Sequence, residues 1–214
     1  MVERKRPRRT RERIVETGLQ LFNRDGAPHV TTADIADEMG ISPGNLYYHF
    51  RNKDEIIALL FAAFEQRLAT LFAPPAGRMA DVEDLWLFLH LLFEAMWDYR
   101  FLYRDLDEML SRNRKLEARF ARLVGRGRRT MQKLCAGMVA ARTMEASESE
   151  IAALADNVAL VATYWMSYQK IASAEGRPQA FGLDRAAYQV LSLIAPFLRG
   201  PSRTLLDRLS QGYL

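Results

Sequence analysis

Apolar residues recur at intervals of three and four along most of this chain, and nothing in it reads as strand. The pattern predicts helices throughout. A first helix is expected over residues 10–25, with Ile14, Gly18, Leu21 and Phe22 on one face and Gly26 as its stop. Two short helices follow within residues 31–53. Residues 53–73 form a longer helix, apolar at Ile56, Leu60, Phe64, Leu68 and Leu71, that should bridge two domains. Pro74, Pro75 and Gly77 then break the chain. Asp81 caps a helix to about residue 99, residues 101–110 form a short one, and residues 113–142 a long one. Ser147-x-x-Glu150 is a capping box opening a helix to about residue 174. The run Glu175-Gly176-Arg177-Pro178 is a second break. A helix over 184–198 ends at Gly200-Pro201, and residues 202–210 form a last short one. The fold class is therefore all-α.

The densest information lies in the run TTADIADEMGISPGNLYYHFRNK, residues 31–53. Thr31 or Thr32 N-caps the first short helix, and Asp34 places a carboxylate in its first turn, where the helix dipole favours it. Ile35, Ala36 and Met39 share a face, and the small Ala36 lets a second helix cross closely. Gly40 suits the left-handed C′ position, and Ile41 turns inward. Ser42 followed by Pro43 starts the next helix as cap and first residue. Gly44 and Asn45 leave its leading edge with little bulk, so backbone can approach a phosphate or a base edge. Leu46 and Phe50 point to the core, while Tyr47, Tyr48 and His49 stay outward. Lys53 opens the following helix, where its ammonium can meet a phosphate. This is the layout of a helix-turn-helix that reads DNA.

These residues resemble the TetR family of one-component bacterial regulators. The resemblance covers roughly residues 10–60 and rests on TTADIA followed by G-I-S-x-G-N-L-Y-Y-H-F-x-N-K. Pro43 stands where relatives often carry a polar residue or lysine. The resemblance implies an N-terminal three-helix DNA-binding domain, residues 1–53, and a larger helical domain for ligand binding and dimerisation, residues 54–214. Residues 42–49 would enter the major groove. Thr32, Tyr48, His49 and Lys53 would hold phosphates; Gly44, Asn45 and Tyr47 would approach base edges; Ser42 is counted with them among the DNA-binding residues. It also implies an apolar pocket between helices and a dimer face in the C-terminal part. Phe93, Met96, Trp97, Tyr103, Tyr164 and Tyr168 are the candidate pocket residues. Tyr188, Leu191, Ile194 and Leu198, with the small Ala155, Ala159 and Ala162 nearby, are the candidate interface.

Charge sharpens this picture. The net charge is only +4, but residues 4–13 carry seven Lys or Arg against one acid, Glu12. Beside a helix-turn-helix, that arm reads as a DNA-backbone or minor-groove contact rather than a solvated tail. Residues 112–133 hold nine Lys or Arg with one acid, Glu117. This stretch reads first as a solvated face balancing Asp105, Asp107 and Glu108; an anionic effector or added attraction toward DNA are the alternatives.

Composition excludes other classes. The single cysteine, Cys135, allows no intrachain disulfide, which suits a reducing cytoplasm. No signal peptide and no membrane span are expected. His29, His49 and His90 are far apart, and no HxxxH, CxxC, GxSxG or phosphate loop occurs. No catalytic residue, metal or cofactor is expected. The function expected is a sequence-specific, homodimeric, cytoplasmic regulator of palindromic operator DNA, a repressor released by a small hydrophobic ligand. A DNA-compacting protein without a ligand is the alternative.

Overall fold

The computed structural model describes residues 7–72, 77–174 and 184–213. The predicted breaks at Pro74-Pro75 and at 175–178, and residues 4–6 of the basic arm, lie outside them. The α-helices are α1 (Pro7–Asp25), α2 (Thr32–Glu38), α3 (Pro43–His49), α4 (Lys53–Leu71), α5 (Val82–Asp98), α6 (Phe101–Arg104), α7 (Leu106–Arg112), α8 (Arg114–Ala140), α9 (Glu148–Ala174), α10 (Asp184–Ile194) and α11 (Gly200–Ser210). Short 3₁₀ turns occupy Ala27–His29, Ala195–Phe197 and Gln211–Tyr213. Among the described residues the only extended pairing is an isolated bridge between Met144 and Leu198.

The chain divides into two compact units. The first comprises Met1–Gln66 and Asp98–Leu116; the second comprises Arg67–Trp97 and Glu117–Leu214. A cut at residue 53 therefore does not separate compact bodies. Ile56, Ile57, Leu60, Phe61 and Phe64 of α4 are buried, and with α6 and α7 they belong to the first unit. Burying these side chains outweighs any boundary suggested by the start of a helix.

In the first unit, Ile14, Leu21 and Phe22 of α1 are buried, as their spacing predicted. Gly18 permits the close crossing: a Cβ there would lie 3.1 Å from Ile56 and 3.6 Å from Ile35. The basic segment 7–13 is helical, with Pro7 at the opening position, so this part of the arm is α1 rather than a tail. The end of α1 is capped from far along the chain. The Arg104 guanidinium donates to Phe22 O at 2.8 Å and to Asn23 O at 3.3 Å, satisfying last-turn carbonyls. The buried Asn23 side chain donates to Asp98 O at 2.8 Å and accepts from Phe101 N–H at 3.1 Å. Asp105 accepts from Ala27 N–H at 2.9 Å. These bonds explain why the helix expected over 101–110 is two: Asp105, at φ −110° and ψ 23°, leaves helical geometry between α6 and α7. Phe22 lies 5.4 Å from Phe101, and Phe64 lies 5.3 Å from Tyr99 and 6.0 Å from Tyr103, centroid to centroid.

In the second unit, α5 buries Leu85, Phe88, Leu89, Phe93 and Met96, while α8 buries Leu123, Met131, Leu134, Cys135 and Met138. The helix starts are capped as read: Asp81 and Asp84 exchange backbone bonds at 2.9 and 3.0 Å, and Ser147 and Glu150 do so at 2.8 and 3.3 Å. Arg78 clamps Asp84 through two 2.6 Å bonds, and this pairing holds the Asp84 carboxyl below its usual range. Pro196 ends α10 early, and Gly200-Pro201 opens α11 instead of closing the preceding helix.

Asn23→Ala would remove the acceptor of the buried Phe101 N–H. A loss of about 1–3 kcal/mol is expected in chemical unfolding of the chain. Unchanged stability would mean that the remote segment does not hold α1.

Candidate nucleic-acid interface

The helix-turn-helix is built by local caps. Thr31, not Thr32, caps α2: its hydroxyl accepts from Asp34 N–H at 3.2 Å, and Asp34 accepts from Thr31 N–H at 2.7 Å. The Thr31 amide, then its hydroxyl, holds the Asp34 carboxyl below its usual range. Gly40 follows α2 at φ 64°. Its N–H donates to Asp37 O at 2.9 Å, and Ile41 N–H donates to Ala36 O at 3.0 Å. This pair of bonds is the Schellman stop, and only glycine adopts its left-handed turn without strain. Ser42 then caps α3 by accepting from Asn45 N–H at 3.2 Å, with Pro43 as first residue.

These caps set which way α3 faces. Leu46 and Phe50 are fully enclosed; Tyr47 is 55% exposed and Tyr48 82%. Gly44 and Asn45 are exposed, and His49 is half-buried with its ring edge-on to Tyr48 at 5.1 Å. Gly44, Asn45, Tyr47 and Tyr48 thus form one open polar face. Thr32 is half-buried in the first turn of α2. Lys53 differs from expectation. Its ammonium donates to Ala27 O within the unit, and burial pushes it below the usual lysine value. It borders a small cavity of about 170 Å³ with Glu108, Met109 and Arg112. Two cations not singled out in the sequence stand by α3 instead. Arg11 lies 4.8 Å over the Phe50 ring, and Arg51 is exposed just beyond. Arg11 falls within the basic run, but only the fold seats it on the end of α3.

The other predicted residues are placed differently from one another. Phe93 and Met96 are core of the second unit; Trp97, Tyr164 and Tyr168 are exposed; Tyr103 packs on Phe64 in the first unit. The six therefore do not form a cluster within either unit. Leu191, Ile194 and Leu198 are buried in the chain's own core, as are Ala155 and Ala162. They are not a free interface: α10 packs its apolar stripe inward, where α9 covers it. Tyr188 is half-buried. The exposed apolar residues of this region are Leu160, Tyr164, Tyr168 and Ile171, which share one side of α9.

Two family models match the chain. Residues 14–60 match bacterial regulatory proteins of the tetR family, and residues 63–206 match the model described as a bacterial transcriptional repressor, TetR. The chain belongs to the TetR family. It is thus a helix-turn-helix transcriptional regulator, in a family of regulators and not of enzymes. The crystal structure of a TetR-family regulator from Marinobacter aquaeolei is 33% identical, covers 95% of this chain and 98% of its own, and superposes with a TM-score of 0.83. A regulator from Saccharomonospora viridis, solved in complex with choline, shares the fold at a TM-score of 0.65 and 20% identity, covering 90% and 99%. The uncharacterized regulator TtgW of Pseudomonas putida is 29% identical over 114 residues, 51% of this chain and 85% of its own length. No described helix is long and apolar enough to cross a membrane.

Two measurements probe the caps. Gly40→Ala forces a side chain into left-handed backbone and should cost roughly 1–2 kcal/mol. Asp34 has a folded-state pKa below its ordinary 3.8. Its contribution is present above that value and is lost as pH falls through the lower one. Asp34→Asn should therefore flatten the acid limb of the stability–pH curve and leave its shape near neutrality. An unaltered acid limb would remove the capping box from the account.

Proposed function

We propose that the chain is a homodimeric, cytoplasmic repressor whose α3 enters the major groove of a palindromic operator and whose second unit releases DNA on binding a small hydrophobic effector. The observation that carries this reading is the open face of α3, where Gly44, Asn45, Tyr47 and Tyr48 project from a helix capped at its start and anchored by Leu46 and Phe50. Asn45 and Tyr47 approach base edges; Ser42, Tyr48, His49, Arg11 and Arg51 hold phosphates. Lys53 braces the first unit through Ala27.

The operator half-sites of such a dimer lie about 34–36 Å apart, so two chains must be held at that spacing. The exposed row Leu160, Tyr164, Tyr168 and Ile171 on α9 supports a self-complementary contact between two copies. For the effector, the supporting feature is the Trp165 indole N–H, which is buried without a hydrogen-bond partner among the described residues. An effector acceptor would satisfy that donor. The choline complex of the Saccharomonospora viridis protein is in keeping with a small-molecule site in this fold. The effector must prefer the conformation that does not bind DNA; a preference of about 2 kcal/mol weakens operator affinity roughly thirtyfold.

Selection of bound sequences from random DNA should recover a palindrome. On that site, Asn45→Ala and Tyr47→Ala should each cost about 1–3 kcal/mol of affinity with the melting temperature unchanged. Recovery of unrelated sequences, or unchanged affinity in both variants, would favour the compacting reading. For the dimer, Leu160→Glu with Ile171→Glu should give folded monomers by light scattering that no longer bind the palindrome. A stable dimer in that variant would place the interface elsewhere.

A further inference from the structure

Five cations fall on a single side of α8 within the second unit. At 3.6 residues per turn, Arg119, Arg122, Arg126, Arg129 and Lys133 lie within about 40° of a common direction and span about 21 Å. Arg122, Arg126, Arg129 and Lys133 are exposed. None of these four makes an ion pair among the described residues, and Arg126 is steadied over the Phe72 ring at 5.2 Å. The local acids are spent elsewhere. Glu117, the one acid of α8, is on the opposite side of the helix, and Asp156 of α9 pairs with Arg128, which lies off the row. Glu108 pairs with Arg112 at 3.0 Å, so it does not balance this row. Cations at intervals of three and four repel one another along the helix, so this arrangement weakens α8 unless an anion is present.

We propose that this row is a sequence-independent binding surface for the phosphate backbone of duplex DNA, distinct in its residues from the α3 contact. A charge-only occupant is indicated because the row has no apolar anchor: none of the exposed large apolar residues among those described lies on α8. A protein partner requires buried aromatic or aliphatic anchors, and an interfacial membrane helix requires an apolar face to insert. Here that face of α8, with Leu123, Met131, Leu134 and Met138, is already in the core. Backbone binding to DNA needs neither; it needs fixed cations and a surface that lets them approach. Ala118, Gly125 and Ala136 flank the row on one side and add little bulk beside it. The inference rests on the row alone and holds whether or not α3 reads an operator.

The test uses the full chain and a labelled random-sequence duplex a few turns long, titrated across salt. The quadruple variant Arg122→Gln, Arg126→Gln, Arg129→Gln, Lys133→Gln removes exposed charges and should fold with an equal or higher melting temperature. Its plot of log affinity against log salt should be shallower than the parent's by roughly three to four units. Replacing the three arginines by lysine, with Lys133 kept, should retain the parent slope, because a point charge suffices for backbone contact. Tyr47→Ala should also retain it, which separates this surface from the reading of α3. A parent-like slope in the quadruple variant overturns the proposal. So does parent binding to vesicles rich in phosphatidylserine that is lost in the quadruple variant while its DNA slope is unchanged; that result would assign the row to a membrane surface.

Discussion

The first unit depends on how the C-terminal end of α1 is closed. A helix end leaves carbonyls that must find donors, and the last turn of α1 is buried at Leu21, Phe22 and Asn23 while Arg24 and Asp25 are exposed. Arg104 donates to the Phe22 and Asn23 carbonyls, and Asn23 and Asp105 tie the adjoining residues to the same remote segment, with bonds that cross 75 to 82 residues of chain. The consequence is that α6 and α7 are part of the body that carries α2 and α3. An event that shifts Asp98–Leu116 would act on the ends of α1 directly, through hydrogen bonds and the Phe22–Phe101 contact.

On that support the helix-turn-helix is nearly self-sufficient. Its three stops and starts are each satisfied within a few residues: Thr31 with Asp34, Gly40 and Ile41 with the end of α2, Ser42 with Asn45. Local satisfaction leaves the outer atoms of Asn45, Tyr47 and Tyr48 with no role in holding the fold. Lys53 shows the contrast. Its ammonium donates to Ala27 O and its side chain is half-buried, which sets it apart from the exposed residues of α3.

The second unit separates its faces by chemistry. The apolar stripe of α10 and the small residues of α9 close one interior, while Leu160, Tyr164, Tyr168 and Ile171 remain outside on α9. Both rows are apolar with helical spacing, and they differ only in what covers them. The outer side of α8 is the electrostatic counterpart, a row of exposed cations with no acid on the same side of the helix.

By itself the sequence determined the helical class, nearly every helix start and the outward set on α3. Those features are local: a cap needs a residue three positions away, and periodicity within one helix separates Leu46 and Phe50 from Tyr47 and Tyr48. The tertiary structure alone decided which apolar stripe is core. Leu191 and Ile194 of α10 look the same in sequence as Leu160 and Ile171 of α9, because spacing marks a face but does not name its partner. It also decided that residues 98–116 join the DNA-reading body, that Tyr103 packs on Phe64, and that Lys53 donates to Ala27 O. Each of these depends on contacts between residues far apart in the chain, which are set by how apolar surface is buried and carbonyls are capped across the whole body, not by neighbours in sequence.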